Sequence, residues 1–336
     1  MRIIIDVMSG DNAPVEPIKG VIEAAQSAKA ELVMVGDENV IRHHIEDLGL
    51  TLPENVSIEH SIGVVTMEDA PLCVVREKAD SSMGKGLSLL AEGKGDAFIS
   101  AGNTGALHAG STLVVRRIKG IKRSAIATIL PFQNPTLLID SGANTEVTKE
   151  HLEQFGMMGS IYMNKLYGIE NPRVGLANIG TESTKGTKEL IEAFEHLKNS
   201  ELINFIGNIE GKQIPFGECD VLVCNGLIGN IILKTSEGVA KFVMKKIKSV
   251  FLANALTKVS AILVKSKLKE LKNSMSASEY GGAPMLGISK PVIKAHGSSK
   301  AEDIRNAVRQ AISFVNTGII YDISKAVSKK DGEAND

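Results

Sequence analysis

Residues 96–110 read DAFISAGNTGALHAG: an apolar run that ends at Ser100, an uncharged loop rich in Gly and Asn, and a helical pattern from Thr104. A strand that passes to a helix through a glycine turn is the repeating unit of a parallel α/β sheet. The loop is suited to holding an anion against backbone N–H groups, with the helix N-terminus adding its dipole. No Gly-Lys-Ser/Thr closes it and its glycines do not fit G-x-G-x-x-G, so nucleotide-binding motifs are disfavoured.

The same rhythm extends in both directions. RIIIDV, ELVMVG, NVSIEH, AIATIL, LLIDSG, RVGLANIG, LINFIG, DVLVCNG and PVIKAHG read as strands. Helical patterns cover 15–29, a stretch opened by Asp37 as N-cap, 71–92, 104–117, 149–167, 186–198, 228–272 and 301–317. The strands are continuous apolar runs rather than strict alternations, as expected when helices cover both faces of a mostly parallel sheet. The expected fold is a three-layer α/β/α sandwich with a long amphipathic helical pair. Residues 1–330 are expected to form one catalytic unit of interlocked lobes, including an amphipathic region at 236–273, followed by a frayed polar tail at 331–336.

Composition narrows the function. With 336 residues and 43% hydrophobic content the chain can bury a large core. Thirty-eight basic against 39 acidic residues give a net charge of -1, which argues against nucleic acid as a partner. Cys73, Cys219 and Cys224 form no C-x-x-C pair, which fits a reducing compartment. The N-terminus enters a strand at once, and uncharged windows are interrupted by Gly, Pro, Asn or Gln. A cytoplasmic location without a membrane span is expected.

Ligands of open parallel sheets bind beyond the strand carboxyl ends. The segments there are alike: DVMSGDNAP (6–14), SAGNTGA, IDSGAN (139–144), NIGTE (178–182), IGNIEG (206–211), CNGLIGN (224–230), EYGGAP (279–284) and AHGSS (295–299). They place Asp6, Gly10, Asp11, Asp140, Gly142, Gly180, Glu182, Asn208, Asn225, Gly229, Asn230, Gly281 and Gly282 along one polar, low-charge cleft floor. Such a floor can hold a small anion or donate to an oxyanion developing on a carbonyl. Asp6, Asp11, Asp140, Glu182 and Glu210 are spread one or two per loop, a pattern that suits helix caps better than a metal site, and no metal is expected. His296 is either a general acid or a loop hydrogen-bonder, and His108 is structural. Cys224 ends an apolar strand and reads as a small hydrophobe rather than a nucleophile.

Two basic features stand apart. Residues 241–272 hold nine lysines, Lys258 and Lys265 among them, against one acid, Glu270. Within this stretch Leu252, Leu256, Val259 and Leu263 recur on one helix face. That stripe faces a core, a dimer partner or an anionic membrane surface. Arg116, Arg117, Lys119, Lys122 and Arg123 crowd the next segment after the first glycine loop and form either a solvated loop or a site for an acidic protein.

Taken in order, DVMSGDNAP, ISAGNTGA, RIKGI, DSGAN, PRVGLANIGTE, NFIGNIEG, GLIGNIILKT, YGGAPMLG and KAHGSS resemble the phosphate acyltransferases of bacterial phospholipid synthesis. The resemblance runs from residue 1 to about 320. It implies a fold like the isocitrate and isopropylmalate dehydrogenases and the phosphotransacetylases, a homodimer, and no cofactor. It also implies transfer of a fatty acyl group from acyl carrier protein (acyl-ACP) to inorganic phosphate, with the acyl phosphate passed to a membrane glycerol-3-phosphate acyltransferase. The lysine-rich stripe adds the expectation of peripheral contact with the membrane surface, and the basic segment at 116–123 becomes the expected ACP site. Two positions depart from the family pattern: Ser9 stands where Gly is usual, which implies a reshaped first loop, and Asn225 where Asp is usual, which removes a charge. In this reading Gly102, Asn103, Thr104 and Gly105 cradle phosphate with Asn144. Asn103, Asn178 and His296 assist catalysis, His296 as acid for the departing thiol. A metal-dependent NAD(P) decarboxylating dehydrogenase and a short-chain phosphotransacetylase are the rival readings of the same fold.

Overall fold

The computed structural model describes residues 1–274 and 280–333. In chain order its elements are β1 (Arg2–Asp6), α1 (Val15–Ala25), β2 (Glu31–Gly36), α2 (Glu38–Asp47), β3 (Val56–His60), α3 (Ser82–Ala91), β4 (Ala97–Ser100), α4 (Thr104–Gly110), β5 (Ala125–Pro131), β6 (Pro135–Ile139) and α5 (Lys149–Tyr167). They continue with β7 (Arg173–Asn178), α6 (Lys188–Lys198), β8 (Asn204–Glu210), β9 (Val221–Val223), α7 (Gly226–Phe251), α8 (Ala255–Ser274), β10 (Ala283–Leu286), β11 (Val292–Lys294), α9 (Ala301–Asn316) and α10 (Ile319–Glu333). The strands make one sheet in the order β3-β2-β1-β4-β11-β10-β5-β6-β9-β7-β8.

Residue alternation within strands builds the layers. Ile3 and Ile5 of β1 join Ile18, Val21, Ile304 and Val308 under α1 and α9, whereas Ile4 faces Val33, Leu87 and Phe98 under α3. Successive side chains of a strand point to opposite faces, so a strand buried on both sides must be apolar throughout. Glycines set the closest approaches: a Cβ at Gly20 would lie 2.6 Å from Ala301 O, which lets α1 lie against α9. In the other half of the sheet, α5 packs Phe155, Met158 and Tyr162 over Leu137, Val174 and Val221 on the face that α9 also covers, with Phe314 of α9 edge-on to Tyr162. Ile228, Ile232 and Leu233 of α7 cover Leu138, Ala177 and Leu222 on the opposite face.

Seven of the ten strand pairings are parallel, so the sheet is mostly parallel as expected. It is nevertheless two parallel blocks running in opposite directions. β3-β2-β1-β4-β11 form one and β6-β9-β7-β8 the other, joined through antiparallel β10 and β5. The reason lies in connection length. Only residues 132–134 separate β5 from β6, and a parallel crossover needs a dozen or more residues.

Three expectations need correction. YGGAP, read as a strand-end loop, leads directly into β10. The helix expected at 104–117 stops at Gly110 and passes through a π-helical turn, Ser111–Val115, to Arg116 at φ 74°. A further helix, α10, occupies the C-terminal region and takes in residues 331–333 of the expected frayed tail; 334–336, like Glu279 of EYGGAP, lie outside the described residues. Among the described residues no helix is long and apolar enough to cross a membrane.

Candidate active site

Three glycine loops meet at the carboxyl ends of β1, β4 and β11. Gly10 has φ 113°, and a Cβ there would lie 3.0 Å from Ala101 Cβ and 3.1 Å from Gly297 O. The Asp11 N–H donates to Gly297 O (2.8 Å), and Asn12 Nδ2 donates to Ser298 O and Ser299 O (3.0 and 3.2 Å). Gly102 is tightly hemmed in as well, with Met83 Cε 2.6 Å and Ser9 Cβ 2.9 Å from a notional Cβ. Positive φ falls on Gly10 and not on Ser9, so the serine needs no left-handed backbone. Beneath the loops Asp6, 1% exposed, accepts from Ser100 Oγ at 2.7 Å. Burial raises its carboxyl above the usual range, while the hydroxyls of Ser9, Ser82 and Ser100 oppose that shift.

Asn103 is the N-cap of α4: its Oδ1 accepts from the Ala106 N–H at 3.0 Å. Its Nδ2 donates to the carbonyls of Thr66, Met67 and Asp69 (3.1, 3.2 and 3.1 Å). The amide thus ties the glycine loop to segment 66–69, which Asp69 braces by accepting from Thr66 N–H, Thr66 Oγ1 and Lys78 Nζ. The side chain of Asn103 is occupied, and the outward donors of this loop are backbone N–H groups. In a capped first turn these are at Thr104, which is exposed, and half-buried Gly105. Asn103→Ala is expected to cost about 1–2 kcal/mol and to weaken phosphate binding by releasing segment 66–69. Thermal melting with a phosphate titration checks this, and wild-type behaviour in both would end the role of Asn103 in the cradle.

The second group of loops is organised by Asp140. Its Oδ1 accepts from Ile126, Gly142 and Ala143 N–H (3.1, 3.1 and 3.0 Å), and its Oδ2 from Asn144 N–H and Nδ2 (2.6 and 2.8 Å). Asn144 also donates to Ser124 O (2.8 Å), and its backbone carbonyl receives the Gly226 N–H (2.6 Å). Asn225 caps α7 by accepting from Ile228 N–H at 2.9 Å, which a carboxylate would do equally well, so the departure from Asp preserves the cap. Gly229 lies so close to Asp140 that a Cβ would sit 1.9 Å from its carbonyl oxygen, and Asn230 lies beside Gly142. α4 meets this group where His108 Nε2 pairs with Ser124 Oγ at 3.0 Å.

α7 then reaches the loop after β11. His296 lies in the field of Glu237, Lys234, Lys294 and Lys241, and partial burial lowers its affinity for a proton. Its Nδ1 accepts from the Ser298 N–H (3.2 Å), which places the proton of the neutral ring on Nε2. Lys294, which the cleft reading overlooked, ends β11 with Nζ donating to Ala101 O (3.1 Å) and Ala295 O. Burial pushes its ammonium down to about 8. The cleft is therefore not low in charge. A lysine closing an apolar strand, in PVIK, was the available signal.

Most of the other strand-end residues do not join this cluster. Asn178 donates to Lys185 O and Asn208 to Glu182 O, both within the β7–β8 edge. Gly180 packs on Lys185 and Glu182, and Glu210 pairs with Lys212. Gly281 abuts Gln310, which accepts from the Gly282 N–H and donates to Tyr162 Oη, whereas Gly282 lies against β11, where a Cβ would fall 2.6 Å from Lys294 O. The expected single floor is thus divided, because β7 and β8 stand at the far end of the sheet from β1, β4 and β11. Among the described residues no three His, Cys, Asp or Glu come together as a metal site. Cys224 is buried, which pushes its thiol far up and leaves it inert as a nucleophile.

Outside the cleft, Ile118 and Ile121 are buried and hold Arg116, Arg117, Lys119, Lys122 and Arg123 exposed around them. Leu252, Leu256, Val259 and Leu263 are exposed along the end of α7 and α8, at 77% for Leu256 and 80% for Leu263, with exposed Lys258 and Lys265 beside them. A cavity of about 650 Å³ between α5 and α6 is lined by Glu153, His196 and Ser200. His196 and Ser200 each bond to Glu153, at 3.2 and 2.7 Å, and no glycine loop of the cleft borders the cavity.

The family model described as "Fatty acid synthesis protein" matches residues 1–322. A phosphate acyltransferase of Thermoanaerobacter pseudethanolicus is 47% identical over 336 residues, 99% of each chain. One from Clostridioides difficile is 42% identical over 335 residues, 99% of this chain and 98% of that one. Among solved structures, a phosphotransacetylase from Streptococcus pyogenes superposes with TM-score 0.59 at 16% identity, covering 98% of this chain and 94% of the other. A branched-chain phosphotransacylase from Enterococcus faecalis gives TM-score 0.57 at 15% identity, covering 94% and 100%. At these identities the structural likeness establishes the fold.

Proposed function

The chain belongs to the fatty acid synthesis protein family as a phosphate acyltransferase, an enzyme that moves an acyl group to phosphate, and from that premise we propose that its donor is long-chain acyl-ACP. The observation that carries this reading is the meeting of three glycine loops, through Gly10, Ala101 and Gly297, at the carboxyl ends of β1, β4 and β11. Phosphate at neutral pH is already a nucleophile, so the protein has to place it against the thioester carbonyl and stabilise the tetrahedral oxyanion. In this mechanism the N–H groups of Thr104 and Gly105 hold phosphate, Gly102 shapes the loop with its own N–H turned in to Ser100 Oγ (3.1 Å), Asn103 fixes that loop and Asn144 orders the facing one. A phosphate oxygen bonds to the carbonyl carbon, the C–S bond breaks, and the proton that hydrogen phosphate gives up passes to the departing thiolate, whose sulfur accepts a hydrogen bond from the Nε2–H of His296. Asn178, at the outer edge, has a supporting role in its loop rather than in the chemistry.

The exposed cations from Arg116 to Arg123 suit an acidic carrier protein beside the cleft. Residues 1–330 act as one catalytic unit, and the exposed apolar faces of α7 and α8 serve a homodimer and a membrane surface, where the acyl phosphate is handed to a membrane glycerol-3-phosphate acyltransferase. The enzyme then works in the cytoplasm at the membrane face. Incubation with palmitoyl-ACP and phosphate is expected to yield acyl phosphate and free ACP. Preference for acetyl-CoA, or turnover only with NAD(P) and Mn²⁺, would replace this reading with one of its rivals. For the membrane, Leu256→Glu with Val259→Glu is expected to lower liposome co-sedimentation by about tenfold or more while the dimer persists. Unchanged co-sedimentation would end that part of the proposal.

A further inference from the structure

We infer that Lys294 is the cation of the phosphate site, its ammonium held between the loops after β4 and β11 so that it meets the charge of the bound phosphate. The inference rests on the cleft being the site of acyl transfer to phosphate. A lysine ammonium has three donors, and two are aimed at Ala101 O and Ala295 O, the first residues of those two loops. Carbonyls fix the ammonium in place without cancelling its charge. Asp6 and Asp11 act on it from the β1 side and Lys234 from α7, with His296 two residues away. Among the described residues no carboxylate lies within ion-pair distance of Nζ. A largely enclosed cation without such a partner is costly to the fold, and its depressed proton affinity, at about 8, records that cost. An arriving phosphate relieves it. The uncharged donors of the glycine loops supply direction and Lys294 supplies charge, each from a different strand end.

The alternative is that Lys294 only clamps two loops, and selectivity between substrates separates the two. The full chain is assayed with varied phosphate and varied acyl thioester, and phosphate binding is measured by calorimetry without thioester. Lys294→Met is expected to raise the phosphate KM roughly 10- to 100-fold, the worth of a hydrogen bond to a charged group, with the thioester KM unchanged. Lys294→Arg is expected to restore phosphate binding to within a few-fold. For the wild type, kcat/KM for phosphate reports the free enzyme and falls as pH rises through about 8, where the ammonium is lost; the arginine variant lacks that fall. An unchanged phosphate KM in Lys294→Met, or equal rises in both KM values, overturns the inference. Should the variants fail to fold, a wild-type phosphate profile that stays flat from neutral pH to well above about 8 overturns it as well. Calorimetric phosphate binding with the expected pH dependence, but without turnover of any thioester, would instead sink the acyl-transfer reading and leave Lys294 standing.

Discussion

Gly229→Ala is expected to cost at least about 3 kcal/mol of stability, at or beyond the upper end of ordinary overpacking, and to abolish acyl phosphate formation. The added Cβ would lie 1.9 Å from Asp140 O and 2.9 Å from Asp140 C. Both are backbone atoms, so no side chain can turn aside; either α7 or the loop after β6 must move. Each is pinned where the clash falls, α7 by its Asn225 cap and by the Gly226 N–H on Asn144 O. Gly238→Ala provides the control within the same helix, because its Cβ would meet nothing within 4 Å. Alanine there should stabilise the helix by roughly 0.5–1 kcal/mol. Urea unfolding of both variants measures the contrast, and equal midpoints would contradict the close approach of α7 to Asp140.

Asp140→Ala should be nearly as severe, at about 3–5 kcal/mol, because it leaves a set of buried donors without their acceptor. The carboxylate receives five hydrogen bonds, four of them from backbone N–H groups. Asn144 then loses its alignment, and with it the carbonyl that receives α7. Asp140→Asn recovers the three bonds to Oδ1 but turns an NH₂ towards two donors of Asn144, so it should fall between alanine and wild type. Thermal melting orders the three proteins. An asparagine variant equal to wild type would show that charge is unimportant at this position.

Much of the fold was legible because its signals are local. Asp37 caps α2 by accepting from Asn39 and Val40 N–H, a contact that spans three residues and is set by residue type alone. α5 occupies 149–167 as its apolar spacing requires, closed by Gly168 at φ 70°. The reversal at β5–β6 was legible too, in a connection too short for a crossover, but the apolar runs on either side resemble those of parallel strands. β10 escaped because its four residues follow two glycines and contain a proline.

The candidate site divides along the same line. The sequence by itself determined which loops are rich in glycine and asparagine and that each follows a strand, since strand, turn and helix signals act over a few residues. Only the tertiary structure decided which loops meet. Position in the sheet, with β7 and β8 last in the strand order, separates Asn178 and Asn208 from the cleft, and the amide of Asn103 is engaged by carbonyls more than thirty residues away in sequence. The loop at 101–105 contains no lysine, yet Lys294 reaches its first carbonyl from a strand 193 residues further along the chain. Pairing between β4 and β11 brings that charge into place, and strand pairing is a property of the whole sheet rather than of any one segment.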